Sequence, residues 1–258
     1  MMRFLFVLVL ACATPAALGQ AQKAPAPSFE PSVGQEGKDV VWVPTPQALV
    51  DRMLDMAKVT EKDTVIDLGS GDGRTVITAA KRGAKALGIE YNPDMVALSK
   101  RNAEKAGVAG KATFRKADLF QTDLTQATVI TMFLLPEINQ KLRPTILKLK
   151  PGTRVVSNTF TMGEWEADRT ETVSGAEGCG SSYCTALLWI VPARVGGVYK
   201  VPQGEVTFKQ QFQKLSGTLR AEGRTLPLEG RVDGEEIAFT AGGKEYKGRV
   251  TRGQLQLQ

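Results

Sequence analysis

A glycine-rich turn that follows an acidic residue is the most chemically informative segment of this sequence. Asp67 stands two positions before Gly69 in the segment 67–73, where glycines recur at every second position after an apolar, β-rich run. Glycines let the chain bend sharply there and let the backbone approach a ligand closely. A dinucleotide fingerprint would need a glycine where Arg74 stands, so the pattern favours a nucleoside ligand without a diphosphate.

Two further acids end neighbouring predicted strands at the same edge of a sheet. Glu90 lies 23 positions after Asp67, where a carboxylate can accept both hydroxyls of a ribose. Asp118 ends the third strand, where a carboxylate can meet the exocyclic amine of adenine. For each acid alone, a capping or solvated surface role is the alternative interpretation. Together with the glycines, the acids predict a site for S-adenosylmethionine (SAM).

Alternating strands and helices position these residues. Strands are predicted at 64–69, 84–90, 112–117, 127–135 and 153–159, and helices after Thr45-Pro46 and at 75–81, 93–105 and 136–150. Thr45 is predicted to cap the first helix, with proline at the first helical position. The nearly continuous apolar run at 127–135 predicts a central strand buried on both faces of a parallel sheet. Residues 170–173 and 185–195 are predicted to pair as an antiparallel hairpin.

The pattern of the sequence changes after Val195. Turn pairs recur about ten residues apart, which is typical of an antiparallel β module. These pairs are Glu222-Gly223, Asp233-Gly234, Gly242-Gly243 and Arg252-Gly253. The predicted core of the module comprises Phe208, Phe212, Leu215, Leu219, Leu226, Leu228, Ile237, Phe239, Tyr246 and Val250. At about sixty residues the module is marginal alone and is expected to pack on the larger domain.

The composition excludes several classes of protein. The 258 residues include no histidine, so Ser-His and Cys-His nucleophile pairs and the commonest zinc ligand sets are absent. No other residue cluster predicts a metal site. The formal net charge of +6 suits an anionic partner, but no basic run or aromatic-interleaved basic stripe accompanies it. Nucleic acid is therefore not expected as a partner.

Residues 1–19 have the pattern of a secretory signal peptide. Arg3 precedes an apolar run too short to span a bilayer, and small residues follow at Ala17 and Gly19. The pattern predicts export, to the periplasm. A lipoprotein signal with Cys12 as the acylated residue is the less favoured alternative, because the apolar run before it is very short.

Export also guides the interpretation of the segment that follows and of the two remaining cysteines. Residues 20–39 are rich in Ala, Pro, Gln and Gly and are interpreted as a linker in which no chemistry is expected. An oxidising compartment makes Cys179 and Cys184 candidates for a disulfide that closes a short loop. Two unpaired thiols are the alternative.

The motifs resemble the class I SAM-dependent methyltransferase superfamily over roughly residues 40–195. The resemblance implies an α/β fold with a seven-stranded Rossmann-like sheet whose last strand is antiparallel, followed here by the small antiparallel β module. It implies SAM as cofactor, with the glycine loop against the methionine part. The cofactor-binding residues it implies are Asp67, Gly69, Ser70, Gly71, Gly73, Glu90, Tyr91, Asp118 and Leu119. The predicted organisation is a signal peptide at 1–19, a linker at 20–39, a methyltransferase domain at 40–195 and an all-β domain at 196–258.

Shorter segments resemble a narrower family, the small protein-lysine methyltransferases that modify ATP synthase and the adenine nucleotide translocase, with their bacterial relatives. The segments are Trp42 to Pro46, Asp67 to Arg74, Gly88 to Pro93, Asp118 to Phe120, Phe133 to Pro136 and Pro151 to Ser157. The resemblance implies a protein substrate with a lysine acceptor. Its substrate-side candidates are Thr45, Phe133, Leu134, Leu135 and Pro136. Trp42 departs from the phenol that is usual in the family, and the β module is no part of the resemblance.

The chemistry that this resemblance implies is direct in-line attack of a lysine amine on the sulfonium methyl. The enzyme would contribute alignment and exclusion of water, without a covalent intermediate. The lysine must first lose its proton, and Glu137, Tyr91 and solvent are the alternatives for the base.

Two other hypotheses are kept. An exported protein meets little SAM, so the fold could serve as a binding or scaffold module that engages an envelope component through the β module. A small-molecule methyltransferase is the other, and it would need an apolar lid. Met162 and Trp165 are the lid candidates, although core packing is the favoured interpretation of such side chains.

Overall fold

The computed structural model describes residues 29–180 and 183–258. The predicted signal peptide, Cys12 and the first part of the predicted linker lie outside the described residues. Within the described ranges, no helix is both long enough and apolar enough to cross a bilayer.

The first sheet has seven strands in the order β3-β2-β1-β4-β5-β7-β6. Its strands are β1 Thr64–Leu68, β2 Lys85–Glu90, β3 Ala112–Lys116, β4 Val129–Met132, β5 Arg154–Asn158, β6 Arg169–Thr172 and β7 Thr185–Ile190. Its helices are α1 Gln47–Met56, α2 Arg74–Lys81, α3 Pro93–Lys105 and α4 Pro136–Ile146. Strands β1 to β5 pair in parallel, and β7 pairs antiparallel with β5 and β6. The predicted α/β fold with an antiparallel last strand is confirmed.

Two hydrophobic cores flank this sheet, because successive strand residues face opposite sides. In β1, Val65 packs into the core that contains α1 and α2, whereas Ile66 packs into the core that contains α4. All four residues of β4 are buried, as predicted for a central strand. Because β1, β2 and β4 are parallel, their carboxyl ends lie at the same edge of the sheet.

Several predicted element bounds are wrong. The fourth strand ends at Met132 rather than at residue 135, because Leu135 takes the N-cap position of α4 and the chain leaves the sheet before it. Pro46, not Thr45, is the N-cap of α1, and the helix begins at Gln47. The Thr45 hydroxyl instead accepts a hydrogen bond from the Asn158 side chain at 3.4 Å. Helix α4 and strand β7 end four and five residues earlier than predicted.

The C-terminal module is a seven-stranded antiparallel meander in which β14 approaches β8, so the sheet is nearly a barrel. Its strands are β8 Gly197–Val201, β9 Gly204–Gln211, β10 Lys214–Ala221, β11 Arg224–Asp233, β12 Glu236–Ala241, β13 Lys244–Thr251 and β14 Gln254–Leu257. At the turn between β10 and β11, Glu222 and Gly223 both have positive φ, as two-residue hairpin turns require. Three of the four predicted turn pairs separate consecutive strands, whereas Asp233 still belongs to β11 and the turn there is Gly234-Glu235.

The module packs on the first domain through residues of the turn between β9 and β10. Phe212 was predicted in the module core, but its ring stacks on Trp165 of the first domain at 6.0 Å between centroids. A turn position does not follow the alternation of the strands, which explains the error. The Gln213 side chain donates a hydrogen bond to the Glu166 carbonyl at 2.8 Å.

Candidate cofactor and acceptor site

A cleft of about 400 Å³ opens at the carboxyl ends of β1, β2 and β4. It is called the cofactor cleft below. The sequence-predicted cofactor residues that line it are Asp67, Gly69, Ser70, Gly71, Glu90, Tyr91, Asp118 and Leu119. Gly73 does not line it. Pockets that bind small molecules and cofactors have volumes of roughly 300 to 1,000 Å³, so the cleft falls in the range expected for a cofactor.

The turn after β1 leaves no room for side chains at its glycines. Gly71 has a φ of 53°, and a Cβ added there would lie 2.6 Å from Trp42 Nε1. Gly73 has a φ of 85°, and its added Cβ would lie 2.8 Å from the Phe114 ring. The Ser70 hydroxyl is buried and has no hydrogen-bond partner among the described residues. A bare backbone turn beside an unpaired hydroxyl fits a polar ligand such as the methionine part of SAM.

Asp67 is a buried carboxylate at the end of β1. It accepts a hydrogen bond from the Thr131 hydroxyl at 2.6 Å. Burial raises the pKa of Asp67 to about 7, and the negative charges of Glu90 and Asp72 act in the same direction, while the Thr131 hydrogen bond opposes them. An acid held in this way is poised to ionise when a cation binds beside it, and the amino group of SAM is a cation.

Glu90 connects the glycine turn to the start of α3. One of its oxygens accepts a hydrogen bond from the Gly71 amide at 3.0 Å, and the other accepts from the Asn92 amide at 2.9 Å. Asn92 in turn caps α3, because its side chain accepts from the Asp94 amide. Glu90 therefore braces the turn and still presents its carboxylate to the cofactor cleft.

Asp118 forms an ion pair across the cofactor cleft. Lys38 Nζ lies 2.6 Å from Asp118 Oδ2 and 4.9 Å from the centre of the Tyr91 ring. The hydrogen bond from Lys38 lowers the pKa of Asp118, and the same bond raises the pKa of Lys38. The other Asp118 oxygen accepts from the Phe120 amide at 2.8 Å, at the start of a short 3-10 helix, Leu119–Gln121.

The segment interpreted as a linker contributes to this site. Residues 35–39 line the cofactor cleft. A turn folds them back, because the Gly34 amide donates to the Trp42 carbonyl at 2.8 Å and the Trp42 amide donates to the Gln35 carbonyl at 2.9 Å. The last residues of the segment 20–39, which was interpreted as a linker, therefore lie at the cofactor cleft. The Pro- and Gly-rich composition has no periodicity that would have signalled this contact.

Replacement of Lys38 by methionine is expected to strengthen SAM binding about two- to fivefold. The predicted binding of the adenine amine at Asp118 competes with the ion pair to Lys38, and the variant has no such competition. Calorimetric titration of SAM into both proteins measures the change. Weaker binding by the variant would contradict this expectation and would make Lys38 a cofactor contact.

The other end of the cofactor cleft is apolar and is called the acceptor end below. The substrate-side candidates that line it are Thr45, Phe133, Leu134 and Leu135. Phe160 and Tyr183, which the sequence analysis did not assign, line it as well. The Arg74 guanidinium donates to the Thr45 carbonyl at 2.9 Å and pairs with Asp72, so the glycine turn is tied to the acceptor end.

Some candidates do not reach the cleft. Pro136 begins α4, and neither Pro136 nor Glu137 lines the cleft, whereas Tyr91 does. The proposed lid residues Met162 and Trp165 are fully buried in the core beneath α4, which rules out a lid made by them.

Cys179 and Cys184 are joined by a disulfide. Within 29–180 and 183–258, no group of three or more acidic or cysteine side chains is arranged to hold a metal ion.

The chain is similar to proteins that are named as methyltransferases. Residues 67–169 match the ANTKMT methyltransferase domain family. A protein-lysine N-methyltransferase of Saccharolobus islandicus is 50% identical over 129 residues, which are 49% of this chain and 80% of that protein. An ATP synthase lysine N-methyltransferase of Mus musculus is 35% identical over 133 residues, which are 50% of this chain and 52% of that protein.

A solved structure of similar sequence contains the reaction product of the cofactor. It is an RNA methyltransferase from Salinibacter ruber in complex with S-adenosyl-L-homocysteine, 48% identical, covering 59% of this chain and 96% of that chain with a TM-score of 0.55. The fold and the site thus define a SAM-dependent methyltransferase, with SAM as its cofactor. The chain belongs to the ANTKMT methyltransferase family, which includes protein-lysine N-methyltransferases.

Proposed function

We propose that this methyltransferase acts on the lysine side chain of a protein. The observation that carries the proposal is the lining of the acceptor end, where Thr45, Phe133, Leu134, Leu135, Phe160 and Tyr183 bear no charge. An apolar environment lowers the pKa of a lysine ammonium and so favours the neutral amine that can attack. The family supports the same acceptor, because its relatives include enzymes named for lysines of ATP synthase and of the adenine nucleotide translocase.

The residues of the cleft divide the work of the reaction. SAM supplies a methyl group on a sulfonium centre. The glycine turn, Asp67 and Glu90 hold the cofactor, and the apolar side chains of the acceptor end align the amine and exclude water. Among the groups considered for taking up the lysine proton, Glu137 does not line the cleft, and Tyr91 lies beside Lys38 at the Asp118 end. Solvent at the acceptor end is therefore the group that takes up the proton.

We further propose that the protein is exported and that its acceptor belongs to the cell envelope, with the C-terminal module as a docking element. Two observations support export. Residues 1–19 have the composition of a signal peptide. The Cys179–Cys184 disulfide is of a kind found chiefly in oxidising compartments.

RNA is the second candidate acceptor, because the Salinibacter ruber relative is named an RNA methyltransferase. Aromatic side chains such as Phe160 and Tyr183 at the acceptor end can stack on unpaired bases. The absence of a basic run in the sequence argues against this acceptor.

Methyl-labelled SAM separates the two acceptors. The protein is incubated with labelled SAM and either the protein fraction or the RNA fraction of a bacterial extract, and the products are hydrolysed and chromatographed. Label in methyl-lysine is expected, at a rate that falls at least tenfold in Glu90→Ala because SAM binding weakens. Label confined to nucleosides, or to methyl-arginine, would overturn the lysine proposal.

A further inference from the structure

Three aromatic rings meet at the acceptor end. Phe133, Phe160 and Tyr183 are called the aromatic wall, and all three line the cofactor cleft. Ring centroids lie 5.8 Å apart for Phe133 and Phe160, 5.6 Å for Phe133 and Tyr183, and 5.8 Å for Phe160 and Tyr183. Rings at these distances pack against one another and present one continuous apolar surface. Tyr183 nevertheless remains 45% exposed, so its ring has a face available for a partner.

A strained turn places Phe160 in the wall. Thr159, the residue before it, is β-branched and has a φ of 59°, a conformation that such residues rarely adopt. Its amide donates a hydrogen bond to the Thr185 carbonyl at 2.6 Å, which ties the turn to the start of β7. Strain of this kind persists only where the surrounding structure imposes it, and it concentrates at functional sites.

The disulfide places Tyr183. Tyr183 directly precedes Cys184, whose bond to Cys179 closes the loop before β7. Both cysteines are buried in the core that contains α1. The Cys184 carbonyl accepts a hydrogen bond from the Val173 amide at 2.9 Å, so the loop is anchored to the sheet as well. This part of the chain lies beyond residues 67–169, where the family is matched.

We propose that the aromatic wall binds the side chain of the acceptor lysine and that the Cys179–Cys184 disulfide holds Tyr183 in place as a specificity-determining residue. The proposal rests on the lysine acceptor proposed above. The four methylenes of lysine pack along the rings, and the terminal ammonium, before it loses its proton, is attracted to their faces.

The geometry of the wall leaves no room for a nucleobase between its rings. A base inserted between two rings needs them about 7 Å apart, twice an ordinary carbon contact distance. Phe133 and Phe160 are the pair nearest to parallel, at an interplanar angle of 20°, but their centroids are only 5.8 Å apart. An extended aliphatic chain can instead lie along the outer surface of the wall.

The test measures acceptor use and SAM binding separately. Labelled methyl transfer to the protein fraction of a bacterial extract is followed at saturating SAM while the acceptor concentration is varied. Tyr183→Ala is expected to raise the half-saturating acceptor concentration about tenfold, and Tyr183→Phe to restore it because the ring is retained. The SAM dissociation constant, measured by calorimetry, is expected to stay within about twofold in both variants, because Tyr183 lies at the acceptor end.

The disulfide is tested in the same assay. The double variant Cys179→Ser/Cys184→Ser is expected to raise the half-saturating acceptor concentration in the same direction as Tyr183→Ala. Combined with Tyr183→Ala, it should add nothing further, because the disulfide acts through the tyrosine and the two effects are coupled. Circular dichroism and the SAM dissociation constant report whether the double variant is folded.

The results distinguish failure of this inference from failure of the lysine proposal. Methyl-lysine formed with the same acceptor dependence by wild type and Tyr183→Ala would overturn the wall as the lysine site. Two results would overturn the link between the disulfide and Tyr183. One is that the effects of Cys179→Ser/Cys184→Ser and of Tyr183→Ala on the half-saturating acceptor concentration add up. The other is that the cysteine double variant also binds SAM more weakly. Label found only in nucleosides would overturn both the lysine acceptor and the inference.

Discussion

Replacement of Glu90 by alanine is expected to weaken SAM binding by about 30- to 100-fold. Two losses combine. The variant lacks the carboxylate that is predicted from the sequence to accept the ribose hydroxyls, and it also lacks the acceptor for the Gly71 and Asn92 amides. Charge-assisted hydrogen bonds of this kind are worth about 1.5 to 3 kcal/mol each in a buried site, and part of the loss is offset by water.

Glu90→Gln separates the two losses. Its amide oxygen can still accept from the Gly71 amide, so the turn keeps one brace, but the charge is gone. We expect a loss of about tenfold, intermediate between the wild type and Glu90→Ala. Glu104→Ala, an exposed position on α3, is the matched control. Calorimetric titration of SAM and S-adenosylhomocysteine measures all four proteins. Equal affinities for wild type and Glu90→Ala, with both folded, would remove Glu90 from the site.

The parts of the site that lie on regular elements could be predicted from sequence. Asp67 is the last residue but one of β1, and Glu90 is the last residue of β2. Parallel strands bring their carboxyl ends to one edge of the sheet. Local rules of periodicity and turn chemistry are enough to place such residues. The same rules predict the turns of the C-terminal module, because a residue pair that contains glycine is recognised as a turn without any distant contact.

The parts that depend on distant contacts could not be predicted in this way. Lys38 reaches Asp118 across 80 positions of sequence, from a segment without periodicity. Phe160 depends on a strained residue, and Tyr183 on a loop whose path is set by the disulfide. Trp165 is a case in which the favoured interpretation, core packing, is confirmed, but an aromatic residue after a strand suits a lid as well until its neighbours are known. Here those neighbours are Trp189 and Phe212.

The contribution of Asp67 to the stability of the ligand-free protein is expected to fall as the pH rises from about 4 to about 7. The pKa of Asp67 is raised from 3.8 to about 7 in the folded protein. In that pH window the folded state holds a proton that the unfolded state has released, so each step upward in pH favours unfolding. Asp67→Asn removes this penalty while it keeps an acceptor for the Thr131 hydroxyl.

Asp67→Asn is therefore expected to be more stable than the wild type above pH 7, by up to on the order of 4 kcal/mol, and equally stable below pH 4. Denaturant unfolding at several pH values measures the difference. A constant difference across the whole range would contradict the titration of Asp67.

The affinity for SAM should also depend on the ionisation of Asp67, but it should rise with pH where the stability of the ligand-free protein falls. A cation bound beside Asp67 favours its ionised form, so the affinity of the wild type for SAM should rise between about pH 5.5 and pH 7.5, with release of a proton on binding. Asp67→Asn should bind more weakly, by about tenfold or more at pH 7.5, and without the pH dependence. Calorimetry in buffers of different ionisation enthalpy counts the proton. The stabilised variant would then be the poorer enzyme, because the buried charge that costs the empty protein stability is the one that receives the cofactor. An unchanged pH profile in Asp67→Asn would assign the titration to another group.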